Sequence, residues 1–192
     1  MSAKETISKN WGPVQQAISA KFNDFQERFG NIDISNKMTS EFMSAIVETA
    51  FAEVLSKNGV DVSTPKKDSE PDAYVQGEPV EIKTTSGDQW RGGTFSKRPG
   101  IYLLVSWEYD EEIGTKLFAA MQDMEESDWQ SSMLDEDNNL VQGANYYATT
   151  YGKKKLVSQN KYEILSGSIE VNRYMKSGFP RRVPTIKIIR SA

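Results

Sequence analysis

The chain has 192 residues, a formal net charge of −4 at pH 7, 38% hydrophobic and 26% charged residues, and neither cysteine nor histidine. This composition is typical of a globular protein with one sizeable core. The missing residue types exclude Ser-His-Asp and Cys-His catalysis, a disulfide framework, and zinc sites built on His or Cys. Carboxylate, lysine and tyrosine chemistry remains, and carboxylates favour a hard cation such as magnesium.

The sequence shows no targeting or membrane segment. No stretch approaches the roughly 18 apolar residues of a spanning helix, and no apolar segment follows a basic one at the N-terminus. We therefore expect a cytoplasmic protein with a single domain over residues 1–192. Its charge is segregated, because residues 108–137 carry eleven acidic residues and one basic, whereas residues 151–192 carry ten basic and two acidic. This pattern suits a face for a polyanion, or solvated faces without a partner.

A first amphipathic helix is predicted over residues 11–29. Apolar residues from Trp11 to Phe29 recur at spacings of three and four, which places them on one stripe. Pro13 suits the first turn of this helix, and Gly30 suits its end. We expect the stripe to pack on the protein's own core rather than on a partner subunit.

A second helix is predicted from about Thr39 or Ser40, either of which suits the N-cap, to Lys57. Asn58-Gly59 provides its stop signal. The apolar face of this helix is centred on Met43, Val47, Ala50 and Val54.

Short extended segments and loops fill the rest of the chain. A polar loop is predicted at residues 63–71, a glycine-rich loop at 86–100, loop and helix in the acidic segment 123–139, and a short helix at 171–176. The predicted strands are Asp72–Val75, Pro79–Thr84, Ile101–Tyr109, Lys116–Met121, Tyr162–Leu165 and Thr185–Arg190. One α/β domain follows from this order.

The segment from Pro71 to Lys83 carries the candidate chemistry. With Gly77-Glu78 as a two-residue turn, Val75 pairs with Val80 and Asp72 pairs with Lys83. Alternation along the strands then separates two faces. The apolar face holds Ala73, Val75, Val80 and Ile82, and the other face holds Asp72, Tyr74, Glu81 and Lys83.

This polar face suits phosphodiester hydrolysis. Two carboxylates, Asp72 and Glu81, can hold a divalent ion that polarises a phosphoryl oxygen and activates water. Lys83 can stabilise developing charge or orient the attacking water. A general-base role for Lys83 is an open alternative, because a nearby metal eases the loss of its proton.

These residues resemble the PD-(D/E)XK nuclease superfamily, which includes many type II restriction endonucleases and Holliday-junction resolvases. The similarity consists of Pro71-Asp72, eight intervening residues, and Glu81-Ile82-Lys83 in a strand–turn–strand context. It implies a restriction-endonuclease-like core, with a central mixed β-sheet flanked by helices. It also implies that Asp72 and Glu81 bind Mg²⁺, for which Mn²⁺ can substitute, and that Lys83 is the catalytic lysine.

The same resemblance implies a further acidic residue from the preceding helix. Glu48, eleven residues before Gly59, fits this pattern best and is expected to be a catalytic and metal-binding residue. Glu53 is the weaker candidate, and Glu70 is a third that could assist from the loop.

By family analogy, the function expected is cleavage of double-stranded DNA by a homodimeric, sequence-specific type II restriction endonuclease. Two alternatives remain. One is a structure-specific or repair nuclease of the same fold, such as a junction resolvase. The other is a non-catalytic DNA-binding or assembly protein that keeps the sheet without the chemistry.

Two polar segments are candidate DNA contacts, with ordinary surface placement as the alternative for each. The loop after Lys83 offers side chains that suit base edges (Gln89, Arg91, Arg98) and phosphates (Thr85, Lys97). The second segment runs from Asn145 to Tyr151 into a lysine cluster, and a C-terminal arginine pair extends it. Its candidate contacts are Asn145, Tyr147, Lys153, Lys154, Lys155, Arg181 and Arg182.

Overall fold

The computed structural model shows an α/β architecture. It describes residues 1–29, 36–65, 70–92, 99–110, 112–131, 149–167, 170–171 and 186–187. Within these ranges the α-helices are α1 (Ala3–Phe29), α2 (Asn36–Lys57) and α3 (Lys153–Gln159), and Glu126–Asp128 in the acidic segment form a short 3-10 helix. The strands are β1 (Val62–Ser63), β2 (Ala73–Val75), β3 (Glu78–Thr85), β4 (Gln89–Arg91), β5 (Gly100–Asp110), β6 (Gly114–Met124), β7 (Gln130–Ser131), β8 (Thr149–Gly152), β9 (Tyr162–Ser166), β10 (Glu170–Val171) and β11 (Ile186–Lys187).

Six strands form the central sheet in the order β1-β2-β3-β5-β6-β9. The β3–β5 pair is parallel and the other neighbours are antiparallel, so the sheet is mixed. A separate three-stranded antiparallel sheet has the order β4-β8-β7, and β10 pairs with β11. The α/β class and the mixed central sheet are therefore confirmed.

Helices α1 and α2 cover one face of the central sheet. Alternate residues of β5, such as Leu103 and Val105, are fully buried on this side. Ile18 and Phe22 of α1 and Val47 of α2 lie in the same core. The stripe of α1 thus packs within the protein's own core from Trp11 to Phe25, as predicted, because its apolar positions recur with the helical period, whereas Phe29 at its end is exposed.

The opposite face of the sheet has its own core. Tyr102 and Leu104, which alternate with the residues facing the helices, are fully buried beneath the small sheet and α3. Trp90 of β4 packs here and donates its indole N–H to the Val105 carbonyl at 2.9 Å. Strand β5 is consequently buried on both faces, which explains why it is an almost continuous apolar run.

Helix α1 begins eight residues earlier than predicted. It starts at Ala3, so Pro13 lies inside the helix rather than in its first turn. Proline removes one backbone hydrogen bond, to the carbonyl four residues before it. That carbonyl belongs to Lys9, an exposed residue, where water can replace the lost partner. Burial of Ala3, Ile7 and Trp11 stabilises the earlier turns.

Helix α2 also begins before the predicted N-cap. It starts at Asn36, so Thr39 and Ser40 lie within it. Its predicted stop is confirmed, because the helix ends at Lys57 and Gly59 adopts a φ of 73°, which favours glycine. The apolar face is confirmed as well, with Met43, Val47 and Ala50 fully buried and Val54 packed against them. Among the described residues, no helix is long and apolar enough to cross a membrane.

The predicted register of the β2–β3 hairpin is wrong by two residues. Val75 pairs with Glu78 and Ala73 with Val80, so the turn is Gln76-Gly77 rather than Gly77-Glu78. Both turn residues have a positive φ, 53° for Gln76 and 79° for Gly77. A type I′ hairpin turn requires a positive φ at both of its central residues. A shift of two residues returns every side chain to its original face. The predicted faces are therefore retained.

Several later elements differ from the sequence prediction. The expected loop at 86–100 contains β4, and residues 153–159 form a helix that was not predicted. Val171 lies in a strand, not at the start of a helix, and the rest of that predicted helix lies outside the described residues. The predicted strands in the regions of β5, β6 and β9 are confirmed.

Candidate catalytic site

The β2–β3 hairpin brings Asp72, Glu81 and Lys83 together. Continuing the observed register by one pair places Asp72 directly opposite Glu81, with Lys83 two residues further along the same face of β3. Their side chains are 27%, 12% and 17% exposed, respectively. The trio is thus shielded but remains open to solvent.

A backbone hydrogen bond fixes the Asp72 carboxylate. The amide N–H of Ile82 donates to Asp72 Oδ2 at 2.7 Å, and the Lys83 ammonium donates to the same oxygen at 3.2 Å. Because Ile82 is 3% exposed and its side chain is part of the helix-side core, this amide has a fixed position. Strand β3 therefore sets the orientation of the Asp72 carboxylate.

The Lys83 ammonium bridges the two carboxylates. Its Nζ lies 3.2 Å from Asp72 Oδ2 and 3.1 Å from Glu81 Oε2. Burial by itself lowers the pKa of Lys83, but the charges of Asp72 and Glu81 outweigh it and raise that pKa above the ordinary value. In this arrangement of side chains the two carboxylates hold Lys83 as an ammonium.

Glu48 approaches this group from α2. Its Oε1 accepts a hydrogen bond from the Ser44 hydroxyl at 3.1 Å, one helical turn earlier. Burial and the Asp72 charge raise the pKa of Glu48, while Ser44 and Lys83 act in the opposite direction. Glu48 therefore interacts electrostatically with Asp72 and Lys83, and its role as a catalytic and metal-binding residue stays a prediction.

Glu81 has a raised pKa as well. Burial is the largest cause; the Lys83 charge lowers the pKa and the Asp72 charge raises it. One lysine therefore balances three carboxylates in a partly buried site, and the excess negative charge favours a further cation.

The two alternative acidic candidates differ in their interactions. Glu53 forms ion pairs with Lys57 at 2.7 Å and Lys21 at 3.3 Å, and the hydrogen bond from Lys57, with that from Lys21, lowers its pKa. It belongs to an exposed ion-pair group between the helices. Among the described residues, no hydrogen bond or ion pair joins Glu70 to Asp72, Glu81 or Lys83.

The donor set fits magnesium better than a soft metal. Asp72, Glu81 and Glu48 offer carboxylate oxygens, the ligands that hard cations prefer. Within the part of the chain that the structure describes, no three acidic side chains converge closely enough to form a complete metal cage. Magnesium is commonly held by one or two carboxylates together with water and substrate phosphate. Asp72 and Glu81 are the pair that suits this role.

Of the predicted DNA contacts near β4, two are exposed. Gln89 and Arg91 lie on the outer side of β4, whereas Trp90 between them is buried. Thr85 has a different role, because its hydroxyl donates to the Gln89 carbonyl at 2.8 Å and accepts from the Gly87 amide at 3.1 Å. Thr85 closes the turn between β3 and β4.

The lysine cluster lies on α3, and its three members differ. Lys154 is exposed. Burial lowers the pKa of Lys153, although the charges of Asp88 and Glu108 oppose this effect. The Lys155 ammonium donates to the carbonyls of Ser127 and Asp128 and lies 5.8 Å from the centre of the Tyr151 ring. It holds α3 to the turn before β7.

The predicted surface from Asn145 to Tyr151 is wrong at its end, because Tyr151 is fully buried in β8. The remaining predicted contacts lie outside the described residues. They are Lys97, Arg98, Asn145, Tyr147, Arg181 and Arg182.

Sequence reasoning missed Ser44 as the hydrogen-bond donor to Glu48. The signal was present, since residues four apart on a helix are neighbours and a serine hydroxyl is a suitable donor.

A scan against known protein families and a search of curated proteins both found no match to this chain.

Proposed function

We propose that this chain is a magnesium-dependent endodeoxyribonuclease that hydrolyses phosphodiester bonds of double-stranded DNA. The observation that carries the proposal is the Lys83 ammonium, which lies within 3.2 Å of two carboxylates on one hairpin. This arrangement matches the order of residues in the PD-(D/E)XK motif and supports a restriction-endonuclease-like core. A homodimer cutting both strands at a specific sequence is the form that the resemblance favours.

Each residue of the site has a chemical role in this proposal. Asp72 and Glu81 would hold the cation, with Glu48 as a third acidic group, and the bound ion would polarise the scissile phosphate and activate water. Lys83 has three N–H donors, of which Asp72 and Glu81 accept one each. The third is available for a phosphate oxygen. As an ammonium, Lys83 would stabilise the negative charge that develops on that oxygen.

The hairpin supports this chemistry by pre-organisation. The Ile82 amide fixes Asp72, and the Ser44 hydroxyl restrains Glu48. Side chains that are already oriented lose little freedom when substrate arrives, which lowers the free energy of the transition state.

A second candidate function is a non-catalytic DNA-binding or assembly protein of the same fold. It is favoured by the lack of a complete three-acid cage among the described residues. The two functions differ in one observable, which is metal-dependent cleavage. A junction-resolvase-like or repair nuclease would differ instead in cutting branched DNA in preference to a linear duplex.

The test is incubation of the full chain with a long natural duplex in magnesium and, separately, in EDTA. We expect discrete fragments in magnesium alone, and loss of at least a hundredfold in rate for Asp72→Ala and Lys83→Ala, a size typical of removing one charge-stabilising group. Matched controls are Glu163→Gln and Lys161→Ala, which change exposed residues on and next to β9. Cleavage by both site variants at the parent rate would refute the assignment.

The fragment pattern separates the alternatives. Reproducible bands indicate a sequence-specific endonuclease, and cutting confined to branched substrates indicates a resolvase-like enzyme. DNA binding without cleavage in magnesium or manganese indicates the non-catalytic protein.

A further inference from the structure

The small sheet formed by β4, β8 and β7 has two chemically different faces. Trp90 and Tyr151 point into the core and are fully buried. The residues that alternate with them are Arg91, which is exposed, and Thr150, which is half-buried. Because side chains of a strand alternate between faces, Arg91 and Thr150 belong to the outer face.

Strand register aligns three side chains across this outer face. Arg91 pairs with Thr150, and Thr150 pairs with Gln130 on β7. Neighbouring strands are about 4.8 Å apart, so the row spans about 10 Å. Gln89 lies two residues from Arg91 and opposite Gly152, which has no side chain to cover it. The outer face therefore presents the Arg91 guanidinium, the Gln89 amide and the Thr150 hydroxyl, and none of these three positions carries a carboxylate.

The same sheet is tied to the catalytic strand. Only three residues separate β3 from β4. The Thr85 hydroxyl donates to the Gln89 carbonyl at 2.8 Å, and the Lys153 amide donates to the Asp88 carbonyl at 2.9 Å. The outer face is consequently held in a fixed position relative to Lys83.

We propose that the outer face of the β4-β8-β7 sheet binds in the major groove of duplex DNA, where Arg91, Gln89 and Thr150 contact base edges. This inference rests on the proposed nuclease function and adds the surface that reads the substrate. The major groove is about 12 Å wide and accepts strands that lie in it. Arginine pairs with guanine through two hydrogen bonds, and glutamine pairs with adenine in the same way. Lys154, exposed next to β8, suits a phosphate contact.

The experiment selects bound duplexes from a library with a randomised centre, using the full chain in EDTA so that no cleavage occurs. The variants are Arg91→Ala and Thr150→Val, which retains a β-branched side chain in the strand. The matched control is Arg28→Ala, because Arg28 is an exposed arginine on α1, which covers the other face of the central sheet. Lys154→Ala serves as the phosphate-contact comparison.

We expect the parent to enrich a specific sequence. Arg91→Ala should bind that sequence roughly 5- to 150-fold more weakly and lose its preference at one base pair. Thr150→Val should alter the preference at a neighbouring position. Lys154→Ala should weaken all sequences alike and reduce the salt dependence by about one phosphate contact. Arg28→Ala should match the parent.

Unchanged preference in both Arg91→Ala and Thr150→Val would overturn the inference, and so would a parent that enriches no duplex. The nuclease assignment is judged separately, by cleavage in magnesium. If these variants cut DNA at the same sites as the parent, the proposed DNA-reading surface is wrong and the nuclease assignment stands. If Arg91→Ala abolishes the enrichment but the protein never cuts DNA, the surface assignment stands and the nuclease assignment is wrong.

Discussion

The Asp72 carboxylate and the Lys83 ammonium lie 3.2 Å apart across the β2–β3 hairpin. The Lys83 ammonium also contacts Glu81, so a positive charge already occupies the space between the two proposed metal ligands. A divalent cation at these carboxylates would compete with that ammonium for the same oxygens. The strength of magnesium binding should therefore depend on the lysine as well as on the acidic residues.

We predict that Lys83→Met binds magnesium more tightly than the parent. The variant removes the competing ammonium and leaves two partly buried carboxylates without their partner. In EDTA it should be less stable by about 1–3 kcal/mol, the usual penalty for an unsatisfied buried polar group. Magnesium should then restore stability, and its affinity, measured by titration calorimetry, should rise about tenfold, or ~1.4 kcal/mol.

Lys161→Met provides the control for this prediction, because Lys161 is exposed. It should leave both the stability in EDTA and the magnesium affinity unchanged. Equal or weaker magnesium binding by Lys83→Met would show that the lysine does not compete with the cation.

A second prediction concerns Lys153 and alkaline pH. Burial lowers the pKa of Lys153 in the folded protein, so between that pKa and the ordinary lysine value of about 10.4 the unfolded chain binds more protons. The free energy of unfolding then rises with pH through this interval. Below the interval Lys153 is charged in both states, and burying its charge destabilises the folded protein by a constant amount. Lys153→Met removes the penalty and should be more stable than the parent at pH 7.

The measurement is thermal unfolding of the parent and Lys153→Met from pH 7 to pH 10.5. The advantage of the variant should shrink as pH approaches the upper limit. The neighbouring exposed residue gives the control, since Lys154→Met should show no such pH-dependent difference. A constant advantage across the range would assign the effect to packing rather than to charge.

The sequence predicted the composition of the site better than its register. The alternation of Ala73, Val75, Val80 and Ile82 identified the buried face, and with it the face that carries Asp72, Glu81 and Lys83. The register depended on which two residues form the turn. Gln76 at positive φ is an uncommon choice, so local turn preferences pointed to the wrong pair.

The small sheet was not predicted, because its stability comes from distant contacts. Strand β4 has three residues, and its partner β8 lies about sixty residues later. The fully buried position of Trp90 depends on Tyr151 and on the β5 carbonyl that its indole contacts. A three-residue segment is too short to show a periodicity that would predict this strand pairing. Tertiary packing determines that β4 is a strand.

A third prediction tests the observed turn. Gly77 has a φ of 79°, and no atom lies within 4 Å of the position of an added Cβ. Gly77→Ala should therefore destabilise the protein through backbone conformation alone, by roughly 1–2 kcal/mol. Gln76→Asn should stabilise it by a few tenths of a kcal/mol, since asparagine accepts the left-handed conformation more readily. Urea unfolding measures both changes.

Gly87→Ala is the matched control for the turn. Its φ is outside the left-handed region, and the added Cβ would meet only the Thr85 hydroxyl at 3.8 Å, an ordinary contact. This variant should be close to neutral. If Gly77→Ala were as stable as Gly87→Ala, the type I′ turn and the register that depends on it would be wrong.

The fourth prediction concerns the hydrogen-bond network that joins the small sheet to the central one. Tyr151 Oη lies 2.9 Å from Gln122 Oε1 and 2.7 Å from Gln159 Oε1, and Gln159 donates to Asp128 Oδ1 at 2.7 Å. Gln122 is 1% exposed. Tyr151→Phe would leave the buried Gln122 Oε1 without the hydroxyl donor, whereas Gln159 Oε1 still accepts a hydrogen bond from Gln122 Nε2 at 3.1 Å. We expect a loss of about 1–3 kcal/mol in the free energy of unfolding, measured in urea.

Tyr162→Phe is the comparison, because Tyr162 is a half-buried tyrosine on β9, the strand paired with Gln122. It should cost less than Tyr151→Phe. If the small sheet reads DNA, loosening its attachment should also weaken the sequence preference of Tyr151→Phe, while the magnesium affinity of the site on β2 and β3 is unchanged. Reduced stability with full sequence preference would show that the network supports the core without orienting the reading surface.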